Sequence, residues 1–261
     1  MPRVSQPMQG REKLVVVSVQ IALGVGALVL WHYATKNRAV SSLMLPPLSD
    51  VVHEFIRAVR AGGFWGDLVV TLDEVGGSIA LAAVLGIAIG FALSRRNFDI
   101  RVFEPILSGL YAVPMVVIYP LYVLFFGLGA NSKIALGASV AFFPIALHTM
   151  SGFASVSPRL TDASRAMGAS SWKLFKHVLF PAAFPIVIAG MRIGFILAFL
   201  SVIGGEMLAS YRGIGRLIID QAEAMNTATM YAYIVFLVIL SLALNSVVFA
   251  AEKWLAGRWR Y

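Results

Sequence analysis

The stretch DASRAMGASSWKLFKHVLFP, residues 162–181, is a basic passage set between two apolar runs that are each long enough to cross a membrane. Its residue pattern predicts a short helix over 162–167 and a second over 172–180. Gly168 lies between them and permits a sharp change of direction, and Pro181 is expected to end the second helix. The residues expected to cap the two helices are Thr161 and either Ser170 or Ser171.

The composition indicates a polytopic membrane protein. Of the 261 residues, 59% are hydrophobic and 13% are charged, a balance that the surface of a water-soluble domain of this size would not carry. The net charge of +8 comes from short basic clusters between apolar runs, which argues for a topology signal and against nucleic acid binding. The chain contains no cysteine, which excludes disulfides and thiolate metal sites. We therefore expect an all-α fold of membrane-spanning helices.

Six apolar segments reach the roughly 20 residues that a helix needs to cross a bilayer core. The predicted spans are 14–34, 74–94, 106–127, 134–153, 183–208 and 230–251. The first is longer than the core of a signal peptide and no small-residue cleavage site follows it, so we expect it to be retained.

The distribution of Lys and Arg predicts the orientation of these spans. With the N-terminus inside, thirteen of them lie on the cytoplasmic side, seven lie outside, and Arg192 lies within the fifth span. By the positive-inside rule, we expect the tails 1–13 and 253–261 and the loop 154–182 in the cytoplasm.

The outer loop 35–68 carries apolar residues at helical spacing over 51–59, with Ser49 as a cap. This pattern predicts an amphipathic helix. The helix either lies on the outer membrane surface or packs on the protein's own outer face, and the sequence favours neither.

Two spans carry small residues at every fourth position, the pattern by which helices pack closely in lipid. In the second span they are Ser78, Ala82, Gly86, Gly90 and Ser94, and in the fifth Gly190, Gly194 and Ala198. We interpret both rows as packing seams.

The third span contains Pro114 and Pro120, which are expected to free the carbonyl groups of Leu110 and Val116. A broken helix of this kind either lines a polar path or is an ordinary proline kink. Arg192 either lines the same path or extends its charge back to the membrane surface. The predicted path residues are Tyr111, Pro114, Tyr119, Pro120, Arg192 and Glu206.

Few ionisable groups are expected deep in the membrane. The acidic residues Asp73, Glu74 and Glu206 are predicted near the outer ends of their helices, so no carboxylate is placed for proton-driven transport. His148 has no second histidine at a ligand spacing, and we predict no metal site and no catalytic constellation.

The opening stretch resembles the signature loop of the membrane subunits of bacterial ABC importers. That pattern is Glu-Ala-Ala, three residues, Gly, nine residues, then Ile, any residue, Leu and Pro. Here it reads Asp162-Ala163-Ser164, three residues, Gly168, nine residues, then Val-Leu-Phe and Pro181. The spacing holds throughout, and the loop lies between spans four and five of six.

The resemblance extends over nearly the whole chain, to the branch that includes sulfonate, taurine, nitrate and bicarbonate permeases. Supporting stretches are LPPLSDVV, FFGLGANSK, FFPIALHTMSG, LFPAAFPIVIAGMRIG and GGEMLASYRGIGRLI. Two departures bear on the substrate, since His148 stands where relatives usually have Asn and Glu74 where many have Arg.

The resemblance implies a division of labour within a bacterial inner membrane complex. The type I permease fold would occupy 69–252 and pair with a second permease copy or a sister chain. Two ATPase subunits would bind ATP and Mg, and an extracytoplasmic protein would deliver substrate. The residues implied in ATPase coupling are Asp162, Ala163, Ser164, Met167, Gly168 and Pro181. The chain has no Gly-Lys dipeptide, and hence no phosphate-binding loop of its own.

We therefore expect a permease of an ATP-driven importer for a small solute, with a sulfonate-like organic anion as the first candidate. An aromatic vitamin or pyrimidine precursor is the alternative cargo. The alternative class is an ion- or proton-driven secondary carrier.

Overall fold

The structure is a computed structural model that describes residues 10–37, 40–60 and 62–258. Residues 1–9 and 259–261 of the two predicted tails lie outside the described residues. The elements are α1 (Gly10–Lys36), α2 (Leu48–Arg60), α3 (Gly63–Leu93), α4 (Asn97–Tyr111), a 3₁₀ turn (Met115–Ile118), α5 (Tyr119–Phe126), α6 (Ala130–Ala154), α7 (Pro158–Ala166), α8 (Ser171–Leu174), a π turn (Phe175–Leu179), α9 (Phe180–Leu208), α10 (Ile214–Glu223) and α11 (Thr227–Arg258).

Five helices in the described part of the chain are long and apolar enough to cross a membrane. They are α1, α3, α6, the continuous rod from α8 through α9, and α11. A sixth span is formed if α4 and α5, which meet at an angle of 71°, are counted together. We call the end of the bundle that carries α7 and α8 the loop end, and the end that carries α2 and α10 the α10 end.

The core of the bundle is α6, which packs between α3 and α9 over most of its length. The two predicted rows of small residues form these contacts. A Cβ atom on Gly90 of α3 would lie 2.5 Å from the carbonyl oxygen of Ala146, and one on Gly194 of α9 would lie 2.8 Å from Ile145. Only a hydrogen atom fits at these points, so the small residues set the distance between the helices.

The third span is broken where the sequence places Pro114. The helix α4 ends at Tyr111, and Pro114 caps the 3₁₀ turn that leads into α5. Pro120 causes no second kink, because it lies in the first turn of α5, where its missing N–H is not needed.

The two carbonyl groups that we expected to be free are both hydrogen-bonded. The amide of Val113 donates to Leu110, and the amide of Tyr119 donates to Val116. The break is therefore satisfied by its own turn, and these carbonyls do not line a polar path.

The amphipathic helix α2 packs on the protein itself. Val51 and Ala58 on its apolar face are buried, and the ring of Phe55 stacks on Phe236 of α11 at 5.8 Å. The sequence left open whether this helix lies on the membrane surface or packs on the protein's own outer face, and the structure shows the packed arrangement. Helix α2 also meets α3 and α10 in one apolar cluster at the α10 end.

Candidate functional site: coupling loop, groove and buried cluster

The predicted coupling loop folds into two helices that meet at Gly168. This glycine has a φ of +80°, a left-handed conformation that other L residues adopt at a cost. The amide of Lys173 donates to Oγ of Ser170 at 3.4 Å, which identifies Ser170 as the cap of the second helix. The bend therefore lies where the sequence predicts it.

Two details of this loop differ from the prediction. Thr161 is not a cap, because α7 begins earlier, at Pro158, and the Thr161 hydroxyl donates to the carbonyl of Pro158 at 2.7 Å. Pro181 does not end the second helix, because the π turn before it widens the helix and α9 continues through it. A π turn shifts the hydrogen bonds by one residue, so the missing N–H of Pro181 breaks nothing.

The loop presents an apolar tip. Met167 is 88% exposed and Trp172 is 69% exposed. Asp162 and Ala163 on α7 are exposed beside them, whereas the hydroxyl of Ser164 donates back to the carbonyl of Leu160 at 2.8 Å. Large exposed apolar side chains next to polar ones are typical of a protein interaction site.

An aromatic cluster fixes the loop to the bundle. The ring of Phe175 lies 5.3 Å from Phe91 of α3 and 6.1 Å from Phe153 of α6. The ring of Trp172 stacks on Phe175 at 5.9 Å. Leu174 beside it is buried. Trp172 of the exposed tip is thus connected to α3 and α6 through packed rings.

A groove of about 520 Å³ lies between α3, α5 and α6. Its walls are almost entirely apolar, with Leu85, Met115 and Phe142 among them. The polar exception is a pair of hydroxyl groups, since Tyr122 donates to Ser139 at 2.8 Å. The groove has the size and the mixture of apolar and polar groups of a small-molecule path.

The predicted path residues do not line this groove. Tyr111 packs near the ring of Phe143 at 6.2 Å, and Pro114 and Pro120 belong to the turns described above. Tyr119 is 1% exposed, and its hydroxyl donates to the carbonyl of Ala209 at 3.0 Å. Tyr122, Ser139 and Met115 occupy the groove in their place.

Arg192 lies between α9 and α11. Its guanidinium is 3.4 Å from Oε2 of Glu252, within reach of Asn245 at 3.5 Å, and 4.5 Å from the ring centre of Phe249. Because Glu252 lies near the C-terminal end of α11, the Arg192 guanidinium is level with that end.

A buried polar cluster occupies the α10 end. Glu74 is 1% exposed, Glu206 is 0% exposed and Lys133 is 2% exposed. Lys133 Nζ lies 3.1 Å from Oε1 of Glu74 and donates to Ser210 Oγ at 2.7 Å. These residues come from α3, α9 and α6 and from the turn before α10, so the cluster joins all four.

Glu206 also holds the beginning of α10. Its Oε1 accepts from the Thr71 hydroxyl at 2.7 Å, and its Oε2 accepts from the amide of Gly215 at 2.7 Å. The Thr71 oxygen accepts from the amide of Ile214 at 3.0 Å. The first amides of α10, which have no partner within their own helix, are thus capped by side chains of two spans.

Lys133, which was one of the seven basic residues counted outside the membrane, is buried in the first turn of α6. Glu206 lies near the end of α9, as predicted, whereas Glu74 lies well inside α3. One feature of the sequence could have pointed to the contact between Glu74 and its cluster. Glu74 follows Thr71 by three residues, so both side chains lie on one face of the helix. The residue pattern does not mark Lys133 for burial, because its partner Glu74 is 59 residues away along the chain.

Residues 82–261 match the family described as the binding-protein-dependent transport system inner membrane component. The chain belongs to this family. It is a permease of a binding-protein-dependent ABC importer, a multi-pass inner membrane protein and not an enzyme. The family resemblance of the opening stretch is thereby confirmed.

The permease has several similar relatives. It is 28% identical over 238 residues to the taurine transport system permease protein TauC of Escherichia coli (strain K12), with 88% of this chain and 86% of TauC covered. It is also 28% identical over 232 residues to the riboflavin transport system permease protein RibX of Chloroflexus aurantiacus, with 89% and 86% covered.

Solved structures show the same fold. The MetNI methionine ABC transporter in an inward-facing conformation matches with a TM-score of 0.61 and 21% identity, over 76% of this chain and 95% of that one. A bacterial alginate ABC transporter matches with a TM-score of 0.62 and 11% identity, over 94% and 96%.

Proposed function

We propose that the permease forms the path of an ATP-driven importer and is driven through the loop 161–181 by a separate ATPase. The loop end then faces the cytoplasm, in agreement with the excess of Lys and Arg on that side. The observation that carries the proposal is the bent loop itself. Trp172 of its exposed tip stacks on Phe175, and Phe175 contacts α3 and α6, two helices that border the groove.

The complex would contain two ATPase subunits, a second permease copy or sister chain, and an extracytoplasmic binding protein. MetNI and the alginate transporter are themselves named as ABC transporters, and the alginate structure includes a periplasmic protein. The groove between α3, α5 and α6 is open on one side, so a second permease would complete the path around it. ATP and Mg would be bound by the ATPase.

For the cargo we propose a small organic anion of the sulfonate type. This choice rests on the relatives, which include permeases for taurine and for aliphatic sulfonates. The second candidate is an aromatic compound such as a flavin or another vitamin precursor. It is favoured by the groove, whose apolar walls contain three Phe and one Tyr, and by the riboflavin permease among the relatives.

Uptake into proteoliposomes tests both the proposed coupling to ATP and the proposed cargo. We expect the permease, its co-purifying ATPase and its binding protein to accumulate labelled taurine or an alkanesulfonate only when ATP is supplied. Uptake that persists without the ATPase and follows a proton gradient would contradict ATP coupling. Uptake of riboflavin in preference to taurine would leave ATP coupling intact and assign the aromatic cargo.

A further inference from the structure

The cluster of Glu74, Lys133 and Glu206 lies within membrane spans and is cut off from water. The exposed fractions of the three side chains are 1%, 2% and 0%. An ionised group in such a place is stable only when its charge is balanced by a partner. With both carboxyls ionised, the three groups would carry one uncompensated negative charge.

The hydrogen bonds of the two carboxyls are unequal. Glu206 accepts one bond on each oxygen, from Thr71 and from the amide of Gly215. Glu74 has no well-oriented hydrogen-bond donor for either oxygen; its nearest cation is Lys133, 3.1 Å from Oε1. Both carboxyls belong to one buried cluster, and the one cation that the described residues place in it is Lys133. Two buried carboxylates with one cation leave a negative charge unpaired unless one carboxyl carries a proton.

We propose that Glu74 and Glu206 share one bound proton, which makes their buried cluster with Lys133 electrically neutral. The proton neutralises one of the two carboxyls, and Lys133, whose Nζ lies 3.1 Å from Oε1 of Glu74, balances the negative charge of the other. A neutral cluster avoids the cost of an uncompensated charge in a buried site.

The other groups that face the cluster leave this charge balance unchanged. Helix α5 contributes the neutral hydroxyl of Tyr119, and the turn before α10 contributes Ser210. The next charges are Asp67 of α3 and Arg212 of the turn, which lie 3.1 Å apart and neutralise each other. No further charged side chain of the described residues forms an ion pair with the cluster.

A bound proton makes the stability of the fold depend on pH. The unfolded chain exposes both carboxyls to water, where they are ionised at neutral pH, so unfolding releases the proton. Stability therefore falls as the pH rises from the range in which the unfolded carboxyls ionise to the pH at which the folded cluster loses its proton. The stability of a variant that binds no proton should not depend on pH in this way. Glu74→Gln is such a variant, because its neutral amide resembles a protonated carboxyl.

Infrared absorption of the purified permease in lipid nanodiscs detects the proton directly. We expect the carbonyl band of a protonated carboxylic acid, shifted by deuterium exchange, at neutral and mildly alkaline pH. The band should disappear in Glu74→Gln and in Glu206→Gln, each of which leaves a neutral cluster. It should persist in Asp73→Asn, because Asp73 is an exposed neighbour of Glu74. A wild-type spectrum without the band would overturn the proposal.

Charge-matched variants give a second test by thermal unfolding. Glu74→Gln should unfold close to the wild type at neutral pH and lose the decline with rising pH. The double variant Glu74→Gln/Glu206→Gln leaves Lys133 unpaired and should unfold at a clearly lower temperature, and the further change Lys133→Met should restore part of the loss. Equal pH profiles for wild type and Glu74→Gln would contradict a shared proton. Neither test uses the ATPase or a substrate, so its result is independent of the proposed transport function.

Discussion

Lys133 Nζ lies 3.1 Å from Oε1 of Glu74, and both side chains are almost completely buried. The pair joins the beginning of α6 to α3, two helices that together form much of the core. A second contact of Lys133, to Ser210 at 2.7 Å, extends the link to the turn before α10. The α10 end is therefore held by polar contacts, whereas the middle of the bundle is held by close packing of small residues.

Removing the cation of this pair should be costly. We expect Lys133→Met to lower the free energy of unfolding by about 3–5 kcal/mol, because a buried carboxylate is left without its partner. The matched control is Arg57→Met, which breaks the exposed pair with Glu54 on α2 and should cost less than about 1 kcal/mol. Unfolding of the purified proteins in detergent measures both, and equal effects would contradict the role of the buried pair.

The packing seam between α3 and α6 is tested by adding one methyl group. Gly90→Ala places a carbon 2.5 Å from the carbonyl oxygen of Ala146, so the helices must move apart, at a cost of about 1–3 kcal/mol. Gly76 on the same helix has nothing within 4 Å, and Gly76→Ala is the control, expected to be neutral or slightly stabilising. Thermal unfolding distinguishes them, and a neutral Gly90→Ala would show that the seam adjusts freely.

The bend of the coupling loop depends on the left-handed conformation of Gly168. Proline cannot adopt a positive φ, so we expect Gly168→Pro to abolish ATP-dependent uptake while the protein remains folded in the membrane. Asparagine tolerates this conformation better than other residues, and Gly168→Asn should keep a large part of the uptake. Proteoliposome uptake measures the two variants side by side, and normal uptake by Gly168→Pro would argue against the loop assignment.

A bulky charged residue at Ala163 tests the same loop without changing its bend. Ala163 is exposed on α7, so Ala163→Glu should leave the fold intact and obstruct the contact with the ATPase. We expect loss of ATPase co-purification and of uptake with an unchanged unfolding temperature. If co-purification stayed at the wild-type level, the ATPase would bind elsewhere.

The aromatic cluster is predicted to transmit movement from the loop to the spans. Phe175→Ala removes the ring that contacts both Phe91 and Phe153, so we expect faster hydrogen exchange over α7 and α8 and a loss of uptake of at least severalfold. Phe125→Ala is the control, since Phe125 is 77% exposed on α5 and lies far along the chain from the loop. Exchange that is unchanged in Phe175→Ala would mean that the ring does not anchor the loop.

The sequence predicted features that depend on neighbours along the chain. The bend at Gly168, a serine cap at 170 or 171 and the small residues of the seams are all of this kind, because helical spacing and turn chemistry are local. The break at Pro114 was also expected. The continuation of α9 through Pro181 was not, because the π turn that permits it has no signature in the residue pattern.

The buried cluster could not be predicted from the sequence because its pairs join distant segments. Glu206 and Thr71 are 135 residues apart, and either residue alone resembles a polar group near the end of a span. The choice between the two alternatives for Arg192 could not be made from the sequence for a related reason. Its depth depends on where α11 ends beside it, and the sequence of α9 carries no information about that neighbour.

Site-directed cross-linking at the loop tip tests the central claim most directly. Since the chain has no cysteine, Met167→Cys introduces a single reactive thiol at a position that is 88% exposed. We predict that it cross-links to the ATPase subunit in assembled complexes and that ATP changes the yield. Met44→Cys, at an exposed methionine of the α10 end, should give no such product. An active complex in which Met167→Cys does not cross-link, or in which Met44→Cys cross-links equally well, would contradict coupling through this loop.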